Sequence, residues 1–252
     1  MLAAERRQLI LEKLQAEKKV IVSQLSDFFK VSDETIRRDL DLLCRDGLAI
    51  KGYGGAIINE NGHELPFSVR KMHNCAEKKK IAGIIEGLIN DGDSILLDAS
   101  TTAVFAAKQL KKKNRLTVIT NSMEVMIELA DKPDWTVIAA GGRLMGDYLA
   151  FAGQRTISEI SSFYADKLIF SCKGLDAKNG IFESNDDFCQ VKRTMLKSAK
   201  MKILAVDLSK FDRAALSKIG SIGDVDVVVT DVQPDQRWLD AFSGMDVECM
   251  YP

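Results

Sequence analysis

The sequence predicts an α/β protein with a small N-terminal winged helix-turn-helix and a larger α/β domain. Residues 1–58 hold short helical patterns that end in a glycine-marked turn, and residues 59–75 are polar with little periodicity. From residue 76 onward, apolar strand patterns alternate with helical stretches, which is typical of a parallel sheet covered by helices. A chain of 252 residues has room for two such domains. We therefore expect a helical domain over 1–58, a linker over 59–75 and an α/β domain over 76–252.

The first domain carries helical patterns and one short extended segment. Residues 4–16 place Ile10 and Leu14 four positions apart, on one side of a helix. The β-branched run 20–22 favours a brief strand, and residues 23–29 form a second short helix. The residues expected on the buried side of that second helix are Leu25, Phe28 and Phe29.

The stretch VSDETIRRDLDLL (31–43) predicts an amphipathic third helix that begins at Ser32. Serine is a favoured N-cap residue, and Asp33 with Glu34 places negative charge in the first turn, where it suits the helix dipole. At about 100° per residue, the apolar side chains fall on one stripe and most charged ones on the opposite side. The stripe consists of Ile36, Leu40 and Leu43. The opposite side carries Arg38, Asp41 and Arg45, with Thr35 and Arg37 at the flanks.

Two interpretations of this helix are open. In isolation it is an ordinary surface helix with i,i+4 ion pairs, among them those of Asp41 with Arg37 and Arg45. In context, a short helix, a tight turn and an amphipathic second helix form a helix-turn-helix whose second helix enters the DNA major groove. Residues 48–58 predict a hairpin that serves as the wing. We favour the second interpretation. The candidate DNA contacts are Ser32, Thr35, Arg37, Arg38, Lys51 and Tyr53.

Composition excludes several classes of protein. Lysine and arginine total 35 against 36 aspartate and glutamate residues. The chain therefore lacks the net positive charge that is typical of a nonspecific nucleic-acid binder. Five scattered cysteines without a CxxC pair, and only two histidines, argue against a disulfide framework, a metal site or a metal cofactor. No apolar run reaches the ~18 residues that span a bilayer. We expect a cytoplasmic protein with no membrane partner and no cofactor.

In the larger domain the strand and helix patterns alternate along the chain. The strand patterns lie at 94–98, 116–120, 135–140, 167–171, 202–206 and 225–230. The helical stretches lie near 101–112, 122–131, 154–162 and 186–199. In open parallel sheets, ligands collect beyond the carboxyl ends of the strands, so the polar residues that follow each strand form the candidate site.

The order and spacing of motifs along nearly the whole chain resemble the DeoR family of bacterial transcription regulators. Glu5-Arg6-Arg7 resembles the family's first helix, and VSDETIRRDLDLL resembles its recognition helix. Residues 47–56 resemble its wing, and residues 66–82 resemble its junction between domains. The motifs of the larger domain are DASTT (98–102), TNS (120–122), AGG (140–142), Gly153, Lys192 with Met195, and DLSKF (207–211).

The resemblance implies a winged helix-turn-helix operator binder joined to a sensor domain related to sugar-phosphate isomerases. Members of the family typically repress a sugar-catabolic operon and release DNA when a phosphorylated sugar binds. We therefore expect a transcriptional repressor whose partners are operator DNA and a phosphorylated sugar. Half-sites are usually read by paired modules, so a homodimer or homotetramer is expected.

An enzyme is the alternative, namely a sugar-phosphate isomerase that carries a DNA-binding domain. A deaminase of similar fold would need a histidine near the sugar, and no histidine follows His73. An isomerase that uses only carboxylates and lysine is harder to exclude from the sequence. We favour the regulator, and no catalytic residue is assigned.

The segment SILLDASTT (94–102) carries the clearest ligand signal. A strand ends at Asp98 and a helix starts near Thr101, so free backbone N–H groups and hydroxyl groups meet at a helix N-terminus, which suits a phosphate. The predicted phosphate contacts are Ser100, Thr101, Thr102 and the backbone near Gly142. The predicted contacts to sugar hydroxyls are Asp98, Asn121 and Asp176. The predicted sources of positive charge are Lys192, Lys210 and Lys173. Further candidate effector contacts at the strand ends are Gly141, Arg143, Gly174 and Asp207.

Each of these residues also has a plain structural interpretation. Serine and threonine after a strand are common helix caps, and Asn121 could cap the helix that follows it. Gly141 and Gly142 could simply turn the chain, a lone lysine is commonly solvated, and a strand-end aspartate such as Asp98 often holds loop backbone.

The chain departs from the family pattern around the predicted sugar pocket. Ser100 stands where the family usually has glycine, and serine both adds a hydroxyl and restricts the backbone. Residues 171–174 read Ser-Cys-Lys-Gly where members often have a Gly-Ala-Asp-Gly-like run, and Phe188-Cys189 replaces a common Glu-Ala pair. These differences predict an effector other than the commonest ones.

Overall fold

Two units, Met1–His73 and Asn74–Pro252, make up the chain in the computed structural model. The structure describes residues 2–45, 48–58 and 65–252. Among these residues no helix is long and apolar enough to cross a membrane, and no cluster of His, Cys, Asp and Glu side chains could hold a metal ion. Of the predicted linker, residues 59–64 lie outside the described residues, and part of the remainder is helical.

The first unit is a winged helix-turn-helix. Its helices are α1 (Ala3–Glu17), α2 (Val22–Phe29), α3 (Asp33–Arg45) and α4 (Phe67–Met72), and its strands are β1 (Lys19–Ile21), β2 (Ala49–Gly52) and β3 (Gly55–Ile58). The strands form an antiparallel sheet in the order β1-β3-β2. No side chain fits at Gly55, because a Cβ there would lie 2.0 Å from the carbonyl oxygen of Val20 on the neighbouring strand.

The apolar stripe of α3 lies in the core of this unit, as the sequence predicts. Ile36, Leu40 and Leu43 are buried, and they belong to one cluster with apolar residues of α1 and α2. The charged residues that the sequence places opposite this stripe are left on the surface, which is the arrangement that a recognition helix requires.

The prediction that Phe28 is buried was wrong. The Phe28 side chain is 68% exposed, and its ring meets the ring of Phe29 edge-on at 4.9 Å. The helix α2 buries Val22, Leu25, Ser26 and Phe29 instead. At about 100° per residue these four residues form one narrow stripe, and position 28 falls well to its side.

A buried ion pair joins α1 to α3. Arg6 Nε donates to Asp39 Oδ2 at 2.6 Å, and Arg7 Nη1 lies 3.6 Å from Asp39 Oδ1. The Asp39 side chain is 4% exposed, so its charge is compensated by arginine and hardly at all by water. This contact fixes the position of α3 relative to α1.

The second unit is an α/β domain. Its helices are α5 (Cys75–Leu88), α6 (Thr101–Leu110), α7 (Met123–Leu129), α8 (Gln154–Ser161), α9 (Asp186–Lys197) and α10 (Gln236–Ser243). Its first six strands are β4 (Ser94–Leu97), β5 (Thr117–Thr120), β6 (Thr136–Ala139), β7 (Arg143–Met145), β8 (Ala150–Ala152) and β9 (Ala165–Phe170). The remaining strands are β10 (Gly174–Asp176), β11 (Gly180–Glu183), β12 (Ala199–Ala205), β13 (Ser217–Gly220), β14 (Val227–Val229) and β15 (Glu248–Met250).

A seven-stranded parallel sheet forms the centre of this unit, in the order β15-β14-β12-β9-β4-β5-β6. Six of these strands overlap the predicted strand segments, and β15 was not predicted. The order in which the chain adds strands reverses between β4 and β9: β5 and β6 lie on one side of this pair, and β12, β14 and β15 lie on the other. In an open α/β sheet such a reversal opens a crevice at the carboxyl ends of the two strands, where ligands bind.

Two smaller sheets accompany the parallel one and were not predicted. The strands β7 and β8 pair as an antiparallel hairpin, and β10, β11 and β13 form an antiparallel sheet. Gly174 and Asp176 therefore do not simply follow a strand of the parallel sheet, as expected from the sequence, but form the ends of β10 in the second small sheet.

Candidate DNA-binding surface and effector site

The start of α3 places the predicted DNA contacts on one exposed surface. Ser32 accepts a hydrogen bond from the backbone N–H of Thr35 at 3.3 Å, and the two hydroxyl groups lie 2.9 Å apart. Arg37 and Arg38 follow in the next turn, and both side chains are more than half exposed. The cap fixes where the helix begins, and it leaves the two guanidinium groups in solvent.

The basic residues of this surface are paired with acids, but not in the expected pattern. Arg37 lies 3.8 Å from Asp33, and Arg38 Nε lies 3.4 Å from Glu34. The pairs of Asp41 with Arg37 and Arg45 that the sequence suggested are not found among the described residues; Asp41 Oδ1 instead lies 2.5 Å from the ammonium nitrogen of Lys51. Lys51 lies on β2, and pairing of this kind, between α3 and a strand of the wing, has no signature in the local sequence.

The wing carries the other two candidate DNA contacts. Tyr53 lies in the turn between β2 and β3 and is fully exposed. The hydrogen bond and charge of Asp41 raise the pKa of Lys51, which therefore stays protonated on β2. A protonated lysine and an exposed tyrosine can each contact phosphate or sugar, and neither side chain is buried in the core.

The predicted phosphate loop lies at the crevice between β4 and β9. Asp98 follows β4, and Ser100 caps α6 by accepting a hydrogen bond from the N–H of Ala103 at 3.0 Å. The backbone N–H groups of Thr101 and Thr102 and both threonine hydroxyls have no hydrogen-bond partner among the described residues. These four donors meet at the N-terminus of a ten-residue helix, where an anion is favoured.

A buried cluster joins the two strands that border the crevice. Asp98 accepts hydrogen bonds from the backbone N–H of Ser100 at 3.0 Å and of Ser171 at 3.2 Å, which are the loop-holding contacts expected of a strand-end aspartate. Lys192 of α9 donates to the carbonyl oxygen of Ser171 at 2.8 Å. The Lys192 ammonium also lies 3.3 Å from Asp98 and pairs closely with Glu183 at the end of β11.

The electrostatics of this cluster keep Lys192 and Glu183 charged. Burial lowers the pKa of Lys192, but the charges of Glu183 and Asp98 outweigh it, so that this pKa lies above its usual value. Burial likewise raises the pKa of Glu183, but the charge and hydrogen bond of Lys192 outweigh it, so that this pKa lies below its usual value. Two carboxylates therefore compensate Lys192, contrary to the expectation that it adds net positive charge.

Cys172, which stands in the loop after β9, is a buried and unreactive thiol. Burial raises its pKa to about 12, although the nearby charges of Lys192 and Lys210 act in the opposite direction. A thiol with this pKa is protonated at neutral pH, and a protonated thiol is a poor nucleophile.

Asn121, at the end of β5, ties the parallel sheet to the β7–β8 hairpin. Its backbone oxygen accepts the N–H of Phe151 at 2.8 Å, and its side-chain Nδ2 donates to the Phe151 carbonyl at 2.7 Å. The side-chain Oδ1 of Asn121 is buried and has no hydrogen-bond partner among the described residues. An unpaired buried acceptor is costly, so this oxygen is a natural partner for a hydroxyl of a ligand or for a water molecule. The capping role considered for Asn121 falls to Ser122 instead.

Gly141 and Gly142 connect β6 to the hairpin through close contacts. The carbonyl oxygen of Gly141 accepts a hydrogen bond from Thr156 Oγ1 at 2.9 Å. A Cβ at position 142 would lie 2.2 Å from the same Thr156 oxygen and 3.0 Å from the carbonyl oxygen of Ala152. Only glycine fits there. Arg143, the next residue, forms an exposed ion pair with Asp187 at the start of α9.

The small sheet of β10 holds three further candidates. The backbone N–H of Lys173 donates to the carbonyl oxygen of Phe182 at 2.8 Å. A side chain at Gly174 would collide with the backbone of Arg213. Asp176 Oδ1 accepts the N–H groups of Lys178 and Asn179 at 3.0 and 2.7 Å, which stabilises the turn into β11. These contacts are structural, and a role of the three residues in ligand binding stays a prediction.

The turn after β12 brings together Asp207, Lys210 and a residue from the start of α5. Asp207 is buried, and its Oδ1 accepts hydrogen bonds from the Ser209 N–H at 3.0 Å and from Asn74 Nδ2 at 3.1 Å. Asn74 has a left-handed backbone, with φ of 51°, and is the first residue of the second unit. Lys210 is half-buried, and its ammonium forms no ion pair with any described residue.

Several residues of the site were missed by sequence reasoning. Glu183, the second carboxylate partner of Lys192, follows a short strand pattern nine positions before the lysine, and that spacing alone did not identify it. Thr156, which supports the two glycines, and Asp187, which pairs with Arg143, gave no signal in the local sequence. All three act through contacts between distant segments of the chain.

Replacing Lys192 with methionine is expected to destabilise the second unit. Methionine is unbranched and only one heavy atom shorter than lysine. The substitution therefore mainly removes the charge and leaves Asp98 and Glu183 buried without their cation, which costs about 3 kcal/mol or more. The free energy of unfolding can be measured in urea on the full chain by tryptophan fluorescence, since Trp135 and Trp238 both lie in the second unit.

Lys210→Met is the matched control, because Lys210 has no ion pair among the described residues. Its free energy of unfolding is expected to stay within about 1 kcal/mol of the unsubstituted chain. Equal losses in the two variants would show that the ion pairs of Lys192 contribute nothing specific to stability.

Comparison with known proteins assigns both units. A model of the DeoR-like helix-turn-helix domain matches residues 6–62, and a model of the DeoR C-terminal sensor domain matches residues 73–232. An uncharacterised HTH-type transcriptional regulator, YulB of Bacillus subtilis, is 41% identical over 92% of this chain and 90% of its own length. The glycerol-3-phosphate regulon repressor of Escherichia coli is 32% identical over 93% of both chains.

Among solved structures, ribose 5-phosphate isomerase A from Methanocaldococcus jannaschii has a TM-score of 0.41 and 14% identity over 55% of each chain. At this TM-score the likeness supports no statement about function. The two family models cover most of the chain, and full-length relatives are transcriptional regulators by name. The chain belongs to the DeoR family and is a DNA-binding transcriptional regulator.

Proposed function

We propose that the protein represses a sugar-catabolic operon and leaves its operator when a phosphorylated sugar binds to the second unit. The observation that carries this proposal is the N-terminus of α6 at the crevice between β4 and β9. Two free backbone N–H groups and the hydroxyls of Thr101 and Thr102 converge there. Donors without partners at a helix N-terminus suit a phosphate group.

The neighbouring contacts suit the sugar part of such a ligand. The buried Oδ1 of Asn121 can accept a hydrogen bond from a sugar hydroxyl, and Lys210 can supply a positive charge. The relative from Escherichia coli is named for the glycerol-3-phosphate regulon, and a phosphorylated polyol has the same combination of phosphate and hydroxyl groups. The substitutions around residues 171–174 support an effector that differs from the commonest ones of the family.

Two further features belong to this proposal. We infer a homodimer or homotetramer, because a helix-turn-helix commonly reads two half-sites through paired modules. We also infer that the protein acts in the cytoplasm, where operator DNA and phosphorylated sugars meet.

Removing the basic side chains of α3 is expected to weaken operator binding. If the side chain contacts a base, Arg37→Ala and Arg38→Ala should each lower the affinity about tenfold. If it contacts phosphate, each substitution should reduce the slope of log affinity against log salt concentration by about one. Gel-shift titration on a duplex selected by the unsubstituted protein from a random library measures both quantities.

Lys13→Ala is the control for these variants, because Lys13 is a partly exposed cation of the same unit on α1 and is not among the candidate DNA contacts. The binding of sugar phosphate should be unchanged in all three proteins. Operator affinity that is equal in both arginine variants and in the control would refute the assignment of α3 as the recognition helix.

Removing the hydroxyls at the start of α6 is expected to abolish the response to the effector. The double variant Thr101→Val with Thr102→Val keeps side-chain volume and the backbone N–H groups, so DNA binding should persist while release by sugar phosphate is lost. The effector is first found by thermal shift, since a ligand at about 100 times its Kd stabilises the native state by about 2.7 kcal/mol.

Thr117→Val is the control, because Thr117 opens β5 at the opposite end from Asn121. It should keep the thermal shift and the release of DNA. A double variant that still releases the operator at the same effector concentration would place the phosphate site elsewhere.

We further propose that the second unit senses its ligand without converting it. An isomerase of this kind needs a carboxylate that can take a proton from the substrate, whereas Asp98 and Glu183 are buried and already paired with Lys192. Incubation with pentose and hexose phosphates should give no ketose–aldose conversion above the level of a protein-free blank. Turnover that is lost in Glu183→Gln would establish the isomerase instead.

A further inference from the structure

The three basic residues of the candidate DNA-binding surface each have an acidic partner on α3. Asp33 lies 3.8 Å from Arg37 and Glu34 lies 3.4 Å from Arg38, in successive i,i+4 pairs along the helix. Asp41 lies 2.5 Å from Lys51 and so joins α3 to the wing. Three cations and three carboxylates sum to zero, so these residues give the surface no excess positive charge.

These pairs differ from the ion pairs that stabilise the fold. All six side chains are between 47% and 78% exposed, whereas the Asp39 side chain is 4% exposed. Exposed ion pairs contribute little to stability because water screens them. Stability therefore does not explain why each of these three cations has a carboxylate partner. The effect of the pairing has to be sought in the bound partner, which is itself an anion.

The acidic partners weaken contacts with the phosphate backbone. A cation that neutralises a phosphate releases counterions and supplies sequence-independent affinity. Next to a carboxylate, the same cation is already partly neutralised, and bringing it to DNA also brings the carboxylate toward the phosphates. Base edges carry no net charge, so contacts with them lose less from the presence of the carboxylates.

We propose that Asp33, Glu34 and Asp41 are specificity-determining residues, which suppress binding to DNA of arbitrary sequence and leave base-specific contacts to decide affinity. This inference rests on the proposed role of α3 as the recognition helix. The acids keep the protein from accumulating on the large excess of nonspecific sites that a genome offers.

Neutralising one of these acids should raise the affinity for DNA of arbitrary sequence. For Glu34→Gln in the full chain, we expect the affinity for a random-sequence duplex to rise about threefold or more at low salt, with a steeper dependence on salt concentration by up to about one ion. The affinity for the duplex selected from a random library should rise less, so that the ratio of the two affinities falls. Asp41→Asn should act in the same direction through Lys51.

Glu17→Gln is the matched control. Glu17 lies on α1, is 49% exposed and forms an i,i+4 pair with Lys13 at 2.6 Å, so the substitution makes the same change in charge away from the predicted DNA surface. We expect less than a twofold change in affinity for the random duplex, because Glu17 pairs with Lys13 and not with a basic residue of the candidate DNA-binding surface. Circular dichroism checks that each variant is folded.

Three results would overturn the proposal. Equal gains in Glu34→Gln and Glu17→Gln would mean that only the net charge matters. Unchanged affinity for the random duplex in both Glu34→Gln and Asp41→Asn would mean that the acids do not weaken phosphate contacts. A loss of affinity confined to the selected duplex would mean that the carboxylate itself contacts DNA. Failure of the recognition-helix assignment is a separate result, since Arg37→Ala and Arg38→Ala would then leave binding of the selected duplex unchanged.

Discussion

The arrangement of the loops around the crevice in the second unit depends on one buried ammonium group, that of Lys192. Lys192 reaches from α9 to the two strands at which the sheet reverses, and it contacts Asp98 after β4, the Ser171 carbonyl after β9 and Glu183 after β11. Asp98 in turn holds the backbone of both loops. The cluster of Lys192, Asp98 and Glu183 therefore connects the loops at the carboxyl ends of β4 and β9. Because Asp98 holds the backbone of the loop before α6, the free donors at the N-terminus of α6 are kept in a fixed position.

Ion pairs serve two different purposes in this chain. Around Lys192 and around Asp39 the pairs are buried, and they fix helices to strands or to other helices. On α3 the pairs are exposed, and they set the charge of a surface without holding it in place. The same residue types therefore stabilise the fold in one place and adjust recognition in another, and burial decides which of the two effects prevails.

The sequence predicted the elements whose signals are local. The apolar stripe of α3, the six strand patterns and the start of α6 near Thr101 depend on spacing within one segment, and the structure places them as expected. Contacts between distant segments were not predictable. Lys51 pairs with Asp41, Lys192 with Glu183 and Asn74 with Asp207, and each pair exists only once the chain is folded. Phe28 was misplaced because an eight-residue helix offers too few apolar positions to define its buried side.

The close fit at Gly142 limits how the ligand preference of the proposed effector site can evolve. Thr156 and the backbone of Ala152 fill the space where a side chain would stand, so position 142 offers its backbone and nothing else. Mutation cannot retune the site at that position without moving α8. New preferences must arise at neighbouring positions with room for other side chains, such as Arg143 on the hairpin and Lys210 after β12. In the proposed effector site, the loop around Gly142 is therefore fixed, and a change of ligand preference would have to come from the residues that surround it.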